Sequence, residues 1–178
     1  MPYKFFFSYS RRDAKGNPYL KEFHRRLALE VGQAAGVSAA VDEADIGFFD
    51  TEGIEPGEKW PDKLAGALQS SKVFVCLYSN GYFKSEWCGK EFEVFRSRVA
   101  AYTPPSGRPA PRLIIPVLWD RRARLPEPLP DAVTDLQYTH ADFGAKYEVE
   151  GLAYFMKLKS KANEAFVTRF IINLAEHI

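Results

Sequence analysis

A chain of 178 residues, 46% of them hydrophobic, suits one folded domain spanning residues 1–178 with a proper core and leaves little room for a second. Its formal net charge is +1, from 24 bases and 23 acids that are interspersed, so no global field recruits nucleic acid or an anionic membrane surface. Two cysteines, the first in a strand-like apolar run, are too few for a disulfide framework or a zinc site and fit a reducing cytoplasm.

The first eight residues, Met-Pro-Tyr-Lys-Phe-Phe-Phe-Ser, run directly into a strand and lack the apolar core and cleavage site of a signal peptide. No apolar stretch is long enough to span a bilayer, so a soluble cytoplasmic protein without a membrane partner is expected. Lys4 to Tyr9 reads as a buried strand whose end opens into a loop, Ser10 to Asn17. Pro18 then starts a helix with Leu20, Phe23, Leu27 and Val31 on its inner face, and Gly36 ends it. Gly36 to Asp45 is longer than a short turn. Ile46 to Phe49 follows as a second strand, and Asp50 to Glu58 as a loop rich in breakers.

The spacing of Leu64, Ala67 and Leu68 predicts a helix from about Trp60 to Ser70. Lys72 to Tyr78 is apolar almost throughout and predicts a fully buried strand. Ser85 caps a helix that runs to about Tyr102, and residues 103–111 form a loop holding four prolines. Leu113 to Trp119 is a fourth strand, whose Pro116 argues for a bulge or a sheet edge. Leu136 to Tyr138 offers a short fifth strand. From about Glu148 onward, residues 148–178 are predicted to be helical, with Phe166, Phe170, Ile171 and Leu174 facing inward. Strands alternating with helices imply an α/β fold: a three-layer, flavodoxin-like sandwich around a parallel sheet of roughly five strands. Ligands in such folds bind outside the carboxyl ends of the strands.

The Ser85 helix carries one carboxylate out of place. Glu91 lies four residues after Trp87, three after Cys88 and four before Phe95, with Val99 continuing the stripe, so it sits in the apolar seam. Glu86 suits the positive end of the helix dipole, and Glu93 points away into solvent. Two readings of Glu91 follow from the helix alone. It pairs with a lysine or arginine at the edge of the core, or it is a desolvated acid, raised in pKa, that meets developing positive charge on a ligand.

Other chemistry finds little support. There is no Gly-x-Gly-x-x-Gly after the first strand and no phosphate-binding Gly-x4-Gly-Lys-Ser/Thr. His24, His140 and His177 have no ligand spacing, so no metal is expected. Ser79 lacks a Gly-x-Ser-x-Gly elbow. The first strand ends in Ser8-Tyr9-Ser10, not in the clustered acids of a response regulator. Arg121, Arg122 and Arg124 read as a solvated loop.

Four segments in order, Phe5-Phe6-Phe7-Ser8-Tyr9, Phe48-Phe49-Asp50 with Gly57, Tyr78-Ser79, and Trp87-Cys88-Gly89-Lys90-Glu91, make the chain resemble a TIR (Toll/interleukin-1 receptor/resistance) domain over most of its length. The resemblance implies that Glu91 is the catalytic glutamate found in members that cleave NAD+, with NAD+ as substrate and no retained cofactor. It implies further substrate contacts at Ser8, Tyr9, Ser10, Arg11, Gly57, Trp60, Ser79 and Trp87. Arg11 stands for an arginine near the dinucleotide phosphates or for a solvated loop residue. Trp87 either walls the nicotinamide or ribose pocket or packs, and Trp60 either contacts ligand or begins the core of the next helix. Ser8, Tyr9 and Ser10 line the site through backbone and strand-end geometry.

The third family box has no clear counterpart, since Phe143 and Tyr154-Phe155 are poor substitutes, and this points toward a bacterial enzyme rather than an animal receptor adaptor. The implied setting is bacterial antiviral immunity, with homotypic TIR–TIR assembly and a fused or separate sensor as activator. The competing class is a TIR scaffold without chemistry. A carboxylate in the apolar seam separates the two, because a scaffold has no need of one.

Overall fold

The computed structural model describes residues 2–38, 40–50, 62–105, 111–121, 124–134, 136 and 143–178. Strand β1 (Phe5–Ser8) leads into a single helical turn, α1 (Arg11–Ala14), and the long helix α2 (Pro18–Ala34). Asn17 accepts a hydrogen bond from the Tyr19 amide at 3.2 Å and Pro18 supplies the preset first-turn φ, so the start of α2 is specified locally. The turn after α2 passes through Gly36 at φ +63°, a left-handed conformation that a side chain would strain. Next come α3 (Glu43–Ile46), β2 (Gly47–Phe49), α4 (Asp62–Ser70) and β3 (Val73–Ser79). The remainder is α5 (Asn80–Phe83), α6 (Glu86–Ala101), β4 (Ile114–Asp120), α7 (Asp131–Thr134), α8 (Gly144–Glu150), α9 (Leu152–Lys157) and α10 (Lys161–Ala175).

The four described strands are parallel, in the order β2-β1-β3-β4. Alternate side chains of β1 serve opposite layers. Phe5 and Phe7 join Leu20, Phe23, Leu27 and Val31 of α2 and Phe170, Ile171 and Leu174 of α10 in one core. Phe6 joins Phe48, Leu64, Leu68, Phe74, Cys76, Phe92 and Phe95 in the other. This is the flavodoxin-like sandwich that the alternating pattern predicts. By the same parity Ser8 faces the second layer, toward α6.

The sheet differs from the expected five strands. Among the described residues it has four; Leu136 lies in a bend, and the rest of the proposed fifth strand falls outside the described residues. Two described contacts lie along the outer edge of β4. The Leu118 amide donates to the Tyr147 hydroxyl at 2.9 Å, and the α8–α9 junction at Gly151 presses on the Trp119 carbonyl. Backbone amides two apart in a strand point the same way, so Pro116 turns its missing N–H to this edge, where none of the described strands pairs.

Two stretches read as loop hold single helical turns, α1 after β1 and α3 before β2, which shortens the second strand to Gly47–Phe49. The C-terminal helical segment is three helices, beginning at Gly144 and interrupted at Gly151 and again before Ser160. Gly151 has φ +79°, and Ser160 caps α10 by accepting from the Asn163 amide at 3.2 Å. Of the four inward residues predicted there, Phe166 is only partly buried.

Candidate active site at the carboxyl edge of the sheet

In this strand order the chain leaves β1 in one direction for β2 and in the other for β3, so the carboxyl end of β1 is the topological switch point. Glu91 reaches that point from α6. Ser85 begins α6 by accepting from the Cys88 amide at 3.3 Å, and the helical period then buries Cys88, Glu91, Phe92 and Phe95 along one stripe. Glu86 and Glu93 lie outside it, paired with Lys90 at 2.6 Å and with Arg96 at 2.8 Å.

Glu91 is 8% exposed. Among the described residues no lysine or arginine forms an ion pair with it; its partner is a neutral hydroxyl, Ser8 Oγ, which donates to Oε2 at 2.6 Å. The reading in which Glu91 pairs with a basic residue at the core edge thus finds no partner among the described residues. Oε1 accepts no hydrogen bond from the described residues. Burial pushes the carboxyl up to about 7, with the Asp50 charge adding to the rise, while the Ser8 hydrogen bond and the Arg11 charge oppose it. The same surroundings push the neighbouring Cys88 thiol up to about 12, chiefly through burial, which leaves it neutral and unreactive.

Behind Ser8 stands Tyr82 of α5, buried, with its hydroxyl 3.4 Å from Ser8 Oγ. On the open side Tyr9 donates to the Asp50 carbonyl at 2.5 Å and stacks on Phe49 at 4.9 Å, while Arg11 pairs with the Asp50 carboxylate at 2.6 Å. Arg11 is thus engaged at the end of β2 and not free in solvent. Trp87 is half-buried against the second core layer, with Lys90 Nζ 4.5 Å above its ring.

Ser10 and Ser79 belong to a neighbouring cluster. The Ser79 hydroxyl donates to Asp13 and accepts the Tyr82 amide at 2.9 Å, which caps α5. Gly81 lies against Ser10 Oγ and Asp13 Oδ1, each 2.8 Å from where a Cβ would sit. Gly57 and Trp60 lie outside the described residues. Glu91, Ser8, Tyr9 and Arg11 therefore converge near the switch point, with Trp87 one turn before Glu91 on α6, whereas Ser79 caps α5 and Ser10 lies against Gly81 beside it. Tyr82, Asp13 and Asp50 were not expected there. Tyr82 carries no signal beyond an apolar position in a short helix, and only folding brings it to Ser8, 74 residues away.

Among the described residues no group of three His, Cys, Asp or Glu could hold a metal ion, and no helix is long and apolar enough to cross a membrane. His24 is buried with a ring nitrogen 2.9 Å from the Gly47 carbonyl, and burial lowers it to about 4, so it acts as a neutral core residue. A concavity of about 760 Å³ along α10, lined by Lys159, Glu164, Arg169 and Ile172 among others, contains none of the residues around Glu91. It is one exposed helix face without convergent buried polar groups.

The fold and the site define a flavodoxin-like α/β protein with a desolvated carboxylate at its switch point. The family model of the TIR domain matches residues 5–154, and the chain belongs to the TIR-domain family. No curated protein shows significant similarity to it.

Proposed function

We propose that this protein is an NAD+ nucleosidase that breaks the bond between nicotinamide and ribose, with Glu91 as the catalytic carboxylate. The observation that carries this reading is the state of Glu91: buried in an apolar seam, unpaired with any described cation, and hydrogen-bonded by the described residues at one oxygen alone. A structural acid in such a place is expected to carry a basic partner, because an unpaired buried charge is costly. Its membership of the TIR family, together with Trp87 and Glu91 at the spacing of the NAD-cleaving members, adds support.

In this reading the C1′–N bond breaks with its electron pair going to the pyridinium nitrogen, and nicotinamide departs neutral and needs no proton. The ribose becomes oxocarbenium-like, and the Glu91 carboxylate stabilises it through Oε1 and its hold on the ribose hydroxyls. Water attacks C1′ and loses a proton, giving ADP-ribose; attack by the adenine ring gives a cyclic isomer. NAD+ is consumed, so it is substrate and not cofactor. Arg11, with Tyr9 beside it, is the cation suited to the dinucleotide phosphates, and Trp87, one turn before Glu91 on α6, is the candidate aromatic wall.

Homotypic assembly of TIR domains, triggered by a fused or separate sensor, is the proposed mode of activation, and bacterial antiviral defence in the cytoplasm the proposed setting. The test is chromatography of NAD+ incubated with concentrated protein, beside Glu91→Ala whose fold is verified by circular dichroism. Nicotinamide release by the wild type alone is the expected result. No release from either, even at high concentration or with a crowding agent, would favour the scaffold.

A further inference from the structure

The groups facing Glu91 come from each element packed at this point: Ser8 and Tyr9 from β1 and its exit, Arg11 from α1, Asp50 from the end of β2, Tyr82 from α5, and Cys88 one turn back on α6. Only one of them, Ser8, makes a hydrogen bond to the carboxylate, at 2.6 Å. Ser8 Oγ also lies 3.4 Å from the Tyr82 hydroxyl, and both residues are buried. A serine hydroxyl has a single proton to donate, and a carboxylate is the stronger acceptor, so Ser8 gives its proton to Glu91 and Tyr82 serves as donor to Ser8. Burial holds the Tyr82 phenol well above its ordinary pKa, so it stays protonated and remains a donor.

We infer that Tyr82 and Ser8 are positioning residues for Glu91: a buried relay of two hydroxyls that clamps Oε2 and turns Oε1 toward the ligand. A glutamate side chain has three rotatable bonds, and a helix in an apolar layer has no other means of aiming its carboxylate. Misplacement by about 1 Å is enough to cost on the order of a hundredfold in rate. The relay anchors α6 and α5 to the end of β1, so the acid is held on three rigid elements and not on a loop. Its Ser8 hydroxyl is spent on Glu91, which assigns that side chain to orientation and not to substrate contact.

The test combines two readouts on Ser8→Ala, Ser8→Thr and Tyr82→Phe. The first is carbon-13 NMR titration of the glutamate carboxyl carbons, with the Glu91 resonance assigned by its loss in Glu91→Gln. Ser8→Ala removes a hydrogen bond to the charged form, so the Glu91 midpoint is expected to rise by about one pH unit. Ser8→Thr, which keeps the hydroxyl, is expected to stay near wild type, and Tyr82→Phe to move in the same direction by less. The second readout is the pH profile of nicotinamide release, whose acid limb is expected to follow the NMR midpoint, with a loss of about tenfold in kcat for Ser8→Ala. This second arm rests on the proposed function; the titration does not, so a wild type that releases no nicotinamide would refute the activity and leave the relay to be decided by NMR. A wild-type midpoint in Ser8→Ala overturns the inference, and a Tyr82→Phe titration identical to wild type removes Tyr82 from it. Should Ser8→Ala fail to fold, Ser8→Cys, whose thiol is only a weak donor, takes its place, and a wild-type midpoint there overturns the inference.

Discussion

Glu91→Gln should make the protein more stable at pH 8 and leave it unchanged at pH 4.5. Burial raises the folded-state pKa of Glu91 from 4.5 to about 7, so between those values the native state binds a proton that the unfolded chain does not. A raised folded pKa means a contribution that is fully present below pH 4.5 and is lost as the pH rises through about 7. Ionising the buried group therefore costs the wild type about 3 kcal/mol across that window. Glutamine is uncharged at every pH, and its amide oxygen can still accept the Ser8 hydroxyl. For a chain of this length such a difference is on the order of 5–10 °C in Tm. Parallel melts of wild type and Glu91→Gln from pH 4.5 to pH 8 measure it, and contributions from other titrating groups cancel in the difference. A difference that does not change with pH, or a variant less stable than wild type at pH 8, would refute the reasoning that Glu91 is buried without a compensating cation. The expected result would also describe a familiar trade, in which the charge that the proposed catalysis requires is held at the expense of fold stability.

Three further outcomes are expected. Tyr147→Phe removes the hydroxyl that receives the Leu118 amide and leaves a buried donor without a partner, so chemical denaturation should show a loss of about 1–3 kcal/mol. Gly151→Ala places a Cβ 2.6 Å from the Trp119 carbonyl oxygen at φ +79°, and the same measurement should show a loss of at least about 2 kcal/mol; a neutral result would mean that the α8–α9 junction is not pressed against β4. Arg11→Ala breaks a partly exposed pair with Asp50 and should change stability by less than about 1 kcal/mol, while raising KM for NAD+ severalfold with kcat preserved. A fall in kcat at constant KM would place Arg11 in the bond-breaking step instead.

Much of this could be read in advance because the signals were local. The period of Leu20, Phe23, Leu27 and Val31 shows the inner face of α2 without reference to anything else, and the unbroken apolar run before Ser79 announces a strand covered on both sides. Pro116 pointed to a bulge or an edge at β4 for the same reason, since a missing amide is a property of the residue itself, and β4 is the outer strand among those described. Single turns such as α1 and α3 escaped because four residues carry too little periodicity to register. The breaks at Gly151 and before Ser160 escaped because apolar residues continue on both sides of them, and only the contact of Gly151 with the Trp119 carbonyl requires the turn.

The sequence by itself determined that a carboxylate would lie in the apolar stripe of the helix after β3, because helical spacing leaves Glu91 no other face. What that carboxylate meets was decided by tertiary structure alone. Helical periodicity is silent on what lies across the seam, so a paired acid and a desolvated acid facing a ligand were both consistent with it. Parallel pairing of β1 with β3 brings Ser8, 83 residues away, to Oε2 at 2.6 Å, and the short turn of α5 brings Tyr82 behind it. Burial depends on what the rest of the chain places around a group, and so the rise of Glu91 to about 7 exists only in the folded molecule.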